Sequence, residues 1–389
     1  MTKNFENILS KQVQTYIAAH INSNIQDLAL QRSPFPDIDF KSILQQIQSK
    51  KKSINKLPTW FATQNIIYPS TISIEQTSSE TTAAYKASLI SGDYLLDATG
   101  GFGVDAYFFS KKVKHVWHAE MNNELSEIVA HNFHQLHVDN VTCIQKNSTY
   151  FLQETDLMFD WIYIDPARRD SNQRKVFLLE DCEPNIVSLL DLYFSKSSNL
   201  LIKTAPLLDI QLGTKSLSNV KNIYIIAVNN EVKEILWHLE KDFNDVCQLH
   251  AININNEHIT QFTGAINDDN YCNYSLPLKY LYEPNSAILK SGWFKKVANI
   301  HQISKLDINS HLYTSQELIQ SFEILQVITY QKSNFKSFQK TQANISIRNF
   351  PLTVAQLKEK HQIHDGGTSY YFFTTDTNQQ KILIIANKV

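Results

Sequence analysis

Tyr94-Leu95-Leu96-Asp97-Ala98-Thr99-Gly100-Gly101-Phe102-Gly103-Val104-Asp105 is the stretch on which the fold turns. A short apolar run ends in a carboxylate, passes through a glycine cluster and enters a helical pattern. The chain holds nine glycines, and three of them fall within four residues here. Glycine so concentrated marks a place where the backbone turns with positive φ or must approach something closely. In an open α/β sheet, ligands bind beyond the carboxyl ends of the strands, so this loop is the expected cofactor site.

Further apolar runs occupy 113–119, closed by Glu120, and 140–145, 159–165, 199–204 and 222–228. Helical patterns at 125–137 and 185–193 separate several of them. Continuous apolar strands alternating with helices predict a mostly parallel sheet covered on both faces. The alternating stretch 248–264 is expected to complete it. Residues 1–74 read as a helical region, with Ile8, Val13, Ile17 and Ile21 at helical spacing across 5–25 and a second amphipathic helix over 40–54. Pro58 and Pro69 mark an irregular connection to the domain at 75–270. After a segment at 275–318, strand-like pieces around one helix (353–361) predict a small α+β domain at 319–389.

The length, 389 residues, exceeds what one core organises. No run approaches the roughly 18–20 apolar residues of a membrane span, and no basic leader precedes an apolar run at the N-terminus. Four cysteines without a CxxC pair argue against disulfides and structural zinc, so a reduced, cytoplasmic protein without a metal is expected. A net charge of −2 excludes a globally basic nucleic-acid binder while leaving room for a local basic face.

Two cofactors compete for the glycine loop. Gly101-Phe102-Gly103-Val104-Asp105-Ala106 formally matches the dinucleotide string G-x-G-x-x-A. Asp97 and Asp105, however, would oppose the pyrophosphate that such a turn holds. S-adenosylmethionine (SAM) carries a sulfonium and an amino group and reverses that preference. Asp97 can take its amino end, while Thr99, Gly100, Gly101 and Gly103 let the backbone pass close. Glu120 can chelate the ribose hydroxyls, which serves either cofactor. Asn147, after the third strand, falls where an adenine contact is expected.

Asp165-Pro166-Ala167-Arg168-Arg169 follows the fourth strand. Amino-group methyltransferases carry Asp/Asn-Pro-Pro-aromatic here: the carboxylate and the next carbonyl accept hydrogen bonds from an exocyclic amine and aim its nitrogen at the methyl. This chain departs twice, with Ala167 for the second proline and Arg168 for the aromatic ring. Arg168 can stack on a base or hold a phosphate, or it can pair with Asp181 or Glu183. Arg169, Arg174 and Lys175 extend the positive rim. Lys203 either faces the cleft or pairs with Asp209. Cys182, between carboxylates, suits a buried structural role better than that of a nucleophile.

With these residues laid out, the chain resembles a class I SAM-dependent methyltransferase, more narrowly the bacterial family with a THUMP-like C-terminal domain joined through a small ferredoxin-like segment. The resemblance spans most of 75–389. It rests on Ser78-Ser79-Glu80 with Ala84-Tyr85-Lys86, on the glycine loop, and on the Asp165–Arg169 motif. Later strings are Lys203-Thr204-Ala205-Pro206, Leu281-Tyr282-Glu283-Pro284-Asn285, Leu312-Tyr313-Thr314-Ser315 and Ile347-Arg348-Asn349-Phe350-Pro351. It implies a Rossmann-like methyltransferase sheet and SAM as cofactor, with Glu80 and Thr82 closing over the methionine end. By analogy with true THUMP domains it implies a structured RNA substrate, tRNA foremost. Residues 290–361 hold ten lysines and arginines against four carboxylates. Lys336 and Arg348 interleave there with Phe335, Phe338 and Phe350, a mixture that suits RNA, although core aromatics beside solvated lysines would read the same. A methyltransferase acting on protein or a small metabolite, a non-catalytic RNA-binding protein and an NAD(P) oxidoreductase are the alternatives. The nucleotide, the methylated atom and the oligomeric state are not encoded in any motif.

Overall fold

The computed structural model describes residues 3–168, 179–256, 258–268, 271–319, 323–332 and 341–388. By internal packing the chain divides into two compact units, Met1–Ile223 with Glu234–Asp245, and Tyr224–Lys233 with Val246–Val389.

The first unit opens with helices α1 (Lys3–Ile8), α2 (Lys11–Ala19), α3 (Ile25–Ala29), α4 (Phe40–Ser53), α5 (Pro58–Ala62) and α6 (Thr71–Gln76). The stretch expected as one helix from Phe5 is two, because the chain breaks at Leu9-Ser10 and restarts from Ser10. Val13, Ile17, Leu28, Ile43 and Ile47 form the small core of this region. Pro58 does not interrupt structure: it occupies the first turn of α5, where its missing N–H costs nothing. Asn132 ties the region to the next layer, its side chain exchanging hydrogen bonds with both the N–H (2.9 Å) and the carbonyl (2.8 Å) of Ile67.

After α7 (Glu80–Ser88) come the alternating elements: β1 (Tyr94–Asp97), α8 (Val104–Ser110), β2 (His115–Ala119), α9 (Asn123–Gln135), β3 (Val141–Ile144), α10 (Ser148–Glu154), β4 (Phe159–Ile164), α11 (Ile186–Lys196), β5 (Ser197–Thr204), α12 (Ile210–Ser216), β6 (Val220–Val228), β7 (Glu231–Glu240), β8 (Gln248–Asn255) and β9 (His258–Ala265). The sheet order is β9-β8-β6-β7-β5-β4-β1-β2-β3. Strands β3, β2, β1, β4 and β5 run parallel, and β7 pairs antiparallel with β5. Glu231–Glu240 is a strand that the apolar runs do not announce. Its signal is the turn Asn229-Asn230, both with positive φ (49° and 62°), the backbone of a two-residue hairpin.

The second unit, to which β8 and β9 already belong, continues with β10 (Tyr280–Glu283), α13 (Ser286–Ser291), α14 (Phe294–Ile300), β11 (Ser304–Lys305), β12 (Tyr313–Ser315), β13 (Glu323–Lys332), β14 (Asn344–Ile347), α15 (Val354–His361), β15 (Ser369–Thr375) and β16 (Lys381–Lys388), whose strands build a separate sheet ordered β11-β12-β10-β13-β16-β15-β14. The parallel pair β14–β15 is bridged by α15, which starts at a capping box of Thr353 and Gln356. Leu357 of that helix packs in one core cluster with Ile363, Phe373 and Leu383. No described helix is long and apolar enough to cross a membrane.

Candidate functional site

Four parallel strands end at one edge of the sheet, and each delivers a polar residue there: Asp97 from β1, Glu120 after β2, Asn147 after β3 and Asp165 after β4. A cavity of about 210 Å³ opens at this edge, lined by Thr99, Gly101, Glu120, Met121, Asn147, Asp165, Glu183 and Pro184, among others, while Asp97, Gly100 and Gly103 lie behind that lining. The glycine loop between Asp97 and α8 is held by the backbone: Gly100 N–H donates to Ala119 (2.9 Å), and Gly103 N–H to Gly100 (3.0 Å). Gly101 and Gly103 have φ of 55° and 77°, the left-handed region that favours glycine. Gly100 is required for another reason. A Cβ there would lie 2.3 Å from Nε2 of His118, which is fully buried beneath the loop.

The acidic groups differ in role. Asp97 is buried and accepts from Thr99 N–H at 3.2 Å. Burial, followed by the negative charge of Asp105, holds its carboxyl well above the usual range; Asp165 and Glu120 add to this and the Thr99 N–H opposes it. Glu120 is fixed by two backbone amides, Gly101 N–H on one oxygen (2.9 Å) and Asn122 N–H on the other (2.7 Å). That orients the carboxylate toward the cavity before anything binds. Asp165 takes its place from the Thr99 hydroxyl, which accepts its N–H at 2.6 Å, and from an ion pair with Lys203. Lys203 thus pairs with Asp165; Asp209, its alternative partner on the sequence, caps α12 instead, accepting from Leu212 N–H. The Lys203 ammonium is held charged: burial lowers its pKa, but Asp165, Glu234 and Asp105 together outweigh burial and raise it.

Asp105 sits below the site. Lys86, fully buried, lies 2.9 Å from its Oδ1 and 3.2 Å from Glu234, while the Ser78 and Tyr163 hydroxyls donate to its other oxygen at 2.8 and 2.9 Å. Burial raises the Asp105 carboxyl, but Lys86, then Lys203 and the hydrogen bonds, bring it below its ordinary value. Asp105 therefore belongs to a buried charge cluster and does not line the cavity. Neither sequence strings nor spacing point to Glu234, because it comes from strand β7, which the apolar runs do not announce.

Glu80 and Thr82 also lie away from the cavity lining. The Glu80 carboxylate accepts from the N–H (2.6 Å) and hydroxyl (2.7 Å) of Thr59 and so caps the start of α5. Asn147 caps α10 through Thr149 N–H (2.9 Å) while still lining the cavity. The Cys143 thiol is pushed up to about 12 by burial and by Asp97, and Cys182 is buried; neither suits a thiolate nucleophile. Pro166 adjoins Asp165 at the strand end. Arg169, Arg174, Lys175, Phe335, Lys336, Phe338 and Lys340 lie outside the described residues, as does the side chain of Arg168. Arg348 is ion-paired with Glu283 and donates to the carbonyl of Ile347 at 2.7 Å, so it ties β14 to β10 and is not a free cation. Among the described residues no cluster of His, Cys, Asp or Glu is arranged to hold a metal ion.

The donor set suits a cationic cofactor: Asp97 is a buried carboxyl without an ion-pair partner among the described residues, and Glu120 is a carboxylate preoriented by two backbone amides. Family models match residues 280–322 as a ferredoxin-like domain and residues 319–388 as a THUMP-like domain. The crystal structure of a provisionally assigned methyltransferase from Porphyromonas gingivalis W83 is 28% identical, with both chains covered completely and a TM-score of 0.90. Two curated relatives from strains of Mycobacterium tuberculosis are named as uncharacterised S-adenosylmethionine-dependent methyltransferases. Each is 24% identical over 179 residues, 45% of this chain and 48% of the relative. The match thus spans about half the length of those relatives. The chain is accordingly a relative of the SAM-dependent methyltransferases, its Rossmann-like sheet followed along the sequence by a ferredoxin-like segment and a THUMP-like domain.

Proposed function

We propose that the protein is a SAM-dependent methyltransferase acting on a base amino nitrogen in structured RNA, tRNA or rRNA, with tRNA favoured. The observation that carries this reading is the carboxylate-lined edge of the sheet, with Asp97 only 1% exposed and Asp165 clamped beside it. SAM, when bound, supplies an activated methyl group. Asp97 would hold its amino end, Glu120 its ribose and Asn147 the adenine side, with Thr99, Gly100, Gly101 and Gly103 forming the backbone cradle. Asp165 and the carbonyl of Pro166 would accept hydrogen bonds from the substrate amine and fix the direction of its lone pair. Orientation is the main demand of such a transfer. With Lys203 engaging one oxygen of Asp165, that carboxylate acts as a positioning acceptor, and its second oxygen remains for the amine.

The RNA assignment draws support from the THUMP-like match at 319–388 and the basic balance of 290–361. Arg168, Arg169 and Lys336 are the substrate contacts it implies, in a catalytic domain at 75–270 and an RNA-presenting domain at 319–389 working in the cytoplasm. The test is mass spectrometry of tRNA and rRNA nucleosides from a deletion strain. A missing methylated nucleoside restored by the wild-type gene, and not by Asp165→Ala, is expected. A complete modification profile would overturn the RNA assignment and leave a protein or metabolite acceptor. Calorimetry separates the cofactor claim, since S-adenosylhomocysteine should bind and NADH should not.

A further inference from the structure

A second cavity, of about 890 Å³, lies at the N-terminal ends of β1, β2 and β4. It is the opposite edge of the sheet from Asp97 and Glu120, roughly 10 Å away along a four-residue strand. Its floor is aromatic. The Trp117 ring meets Tyr94 (5.5 Å, 74°), Phe159 (5.4 Å, 74°) and His115 (4.4 Å, 62°), each near edge-on. Tyr94 is 44% exposed and Met158, on the link from α10 to β4, 59%.

The rim is acidic. Asp93 is neutralised by Lys114 at 2.7 Å, but Asp160 accepts only the backbone N–H groups of Asp93 and Tyr94 (2.7 and 2.9 Å) among the described residues. Asp156 is exposed and has no ion-pair partner among the described residues. Three carboxylates, Asp93, Asp156 and Asp160, stand at this rim against one ammonium, Lys114, which pairs with Asp93 and also attracts Asp160. The excess negative charge beside the partly exposed Tyr94 and Trp117 rings attracts a cation by Coulomb attraction and through the ring quadrupoles. The same charges repel a phosphate backbone.

We propose that this groove docks an arginine- or lysine-bearing segment of a partner protein, the cation seated over the Trp117 and Tyr94 rings between Asp156 and Asp160. The aliphatic stem of that side chain would run along Leu157 and Met158. The cofactor edge is left free, so partner and cofactor can be held together.

The experiment is a calorimetric titration of the full chain with an octa-arginine peptide, with octa-glutamate and with an eight-nucleotide oligouridylate, repeated on the exposed double variant Asp156→Asn/Met158→Ser. The peptide should bind the wild type and bind the double variant about tenfold more weakly, with both proteins melting at the same temperature. Titrated alone, neither anionic probe should bind the double variant more weakly than the wild type. Equal peptide affinity for wild type and variant, no peptide binding at all, or weaker oligonucleotide binding by the variant would each overturn the proposal. None of these readouts depends on methyl transfer.

Discussion

Lys86→Met should be the most damaging single change in the first unit. The Lys86 ammonium is fully buried between Asp105 (2.9 Å) and Glu234 (3.2 Å) and accounts for the principal attraction on both carboxyls. Glu234 already has one oxygen without a hydrogen-bond partner among the described residues. Methionine fills the volume but leaves two buried carboxylates without their cation, which costs about 3–5 kcal/mol. For a unit of this size that is a fall of roughly 6–20 °C in melting temperature. The pH dependence follows from the two carboxyls. Asp105 is held below its ordinary value, so in the wild type its contribution is present above the unfolded pKa and fades as pH falls through the folded one. Glu234 is raised, by burial against the pull of Lys86 and Lys203, so it favours folding at lower pH. Removing Lys86 moves Asp105 upward as well, and both carboxyls then favour low pH. Scanning calorimetry between pH 8 and pH 5 should therefore show the gap between variant and wild type narrowing as pH falls. The triple variant Lys86→Met/Asp105→Asn/Glu234→Gln should recover most of the loss. A deficit under about 1 kcal/mol at pH 8, or one that widens toward pH 5, would refute the charge-cluster reasoning.

Other consequences can be measured beside it. Gly100→Ala drives a methyl group into His118, an overpacking worth about 1–3 kcal/mol; His118→Ala in the same chain should restore both melting temperature and S-adenosylhomocysteine affinity. Because the Asp97 carboxyl is raised by burial and by Asp105, a cationic ligand should drive it to ionise. Calorimetry of SAM in buffers of different ionisation enthalpy should report proton release, absent in Asp97→Asn, and equal heats in all buffers would contradict this. Lys203→Met should leave S-adenosylhomocysteine binding intact while lowering methyl incorporation into RNA from a deletion strain by about 100-fold, since the acceptor carboxylate loses its clamp. Arginine at 203 should restore part of the rate, and an unchanged rate in the methionine variant would remove Lys203 from the positioning of Asp165.

What the linear chain determined is what local pattern can encode. The alternation of apolar runs and helical stretches specified the parallel strands β1 to β5, because a strand buried on both faces must be apolar throughout. The positions of Asp97, Glu120, Asn147 and Asp165 at strand ends followed from the same pattern, as did the terminal α+β domain, whose helix expected at 353–361 agrees with α15 within a residue. Tertiary structure alone decided the partners. Lys203 faces Asp165 and not Asp209, Gly100 is glycine because His118 lies beneath it, Glu80 caps α5 instead of lining the cavity, and Arg348 is spent on Glu283. Strand β7 escaped because its cue is a two-asparagine turn and not a long periodicity, and with it went Glu234. Each of these depends on contacts between residues distant along the chain, and a sequence records which groups are present but not which charges will share one buried volume.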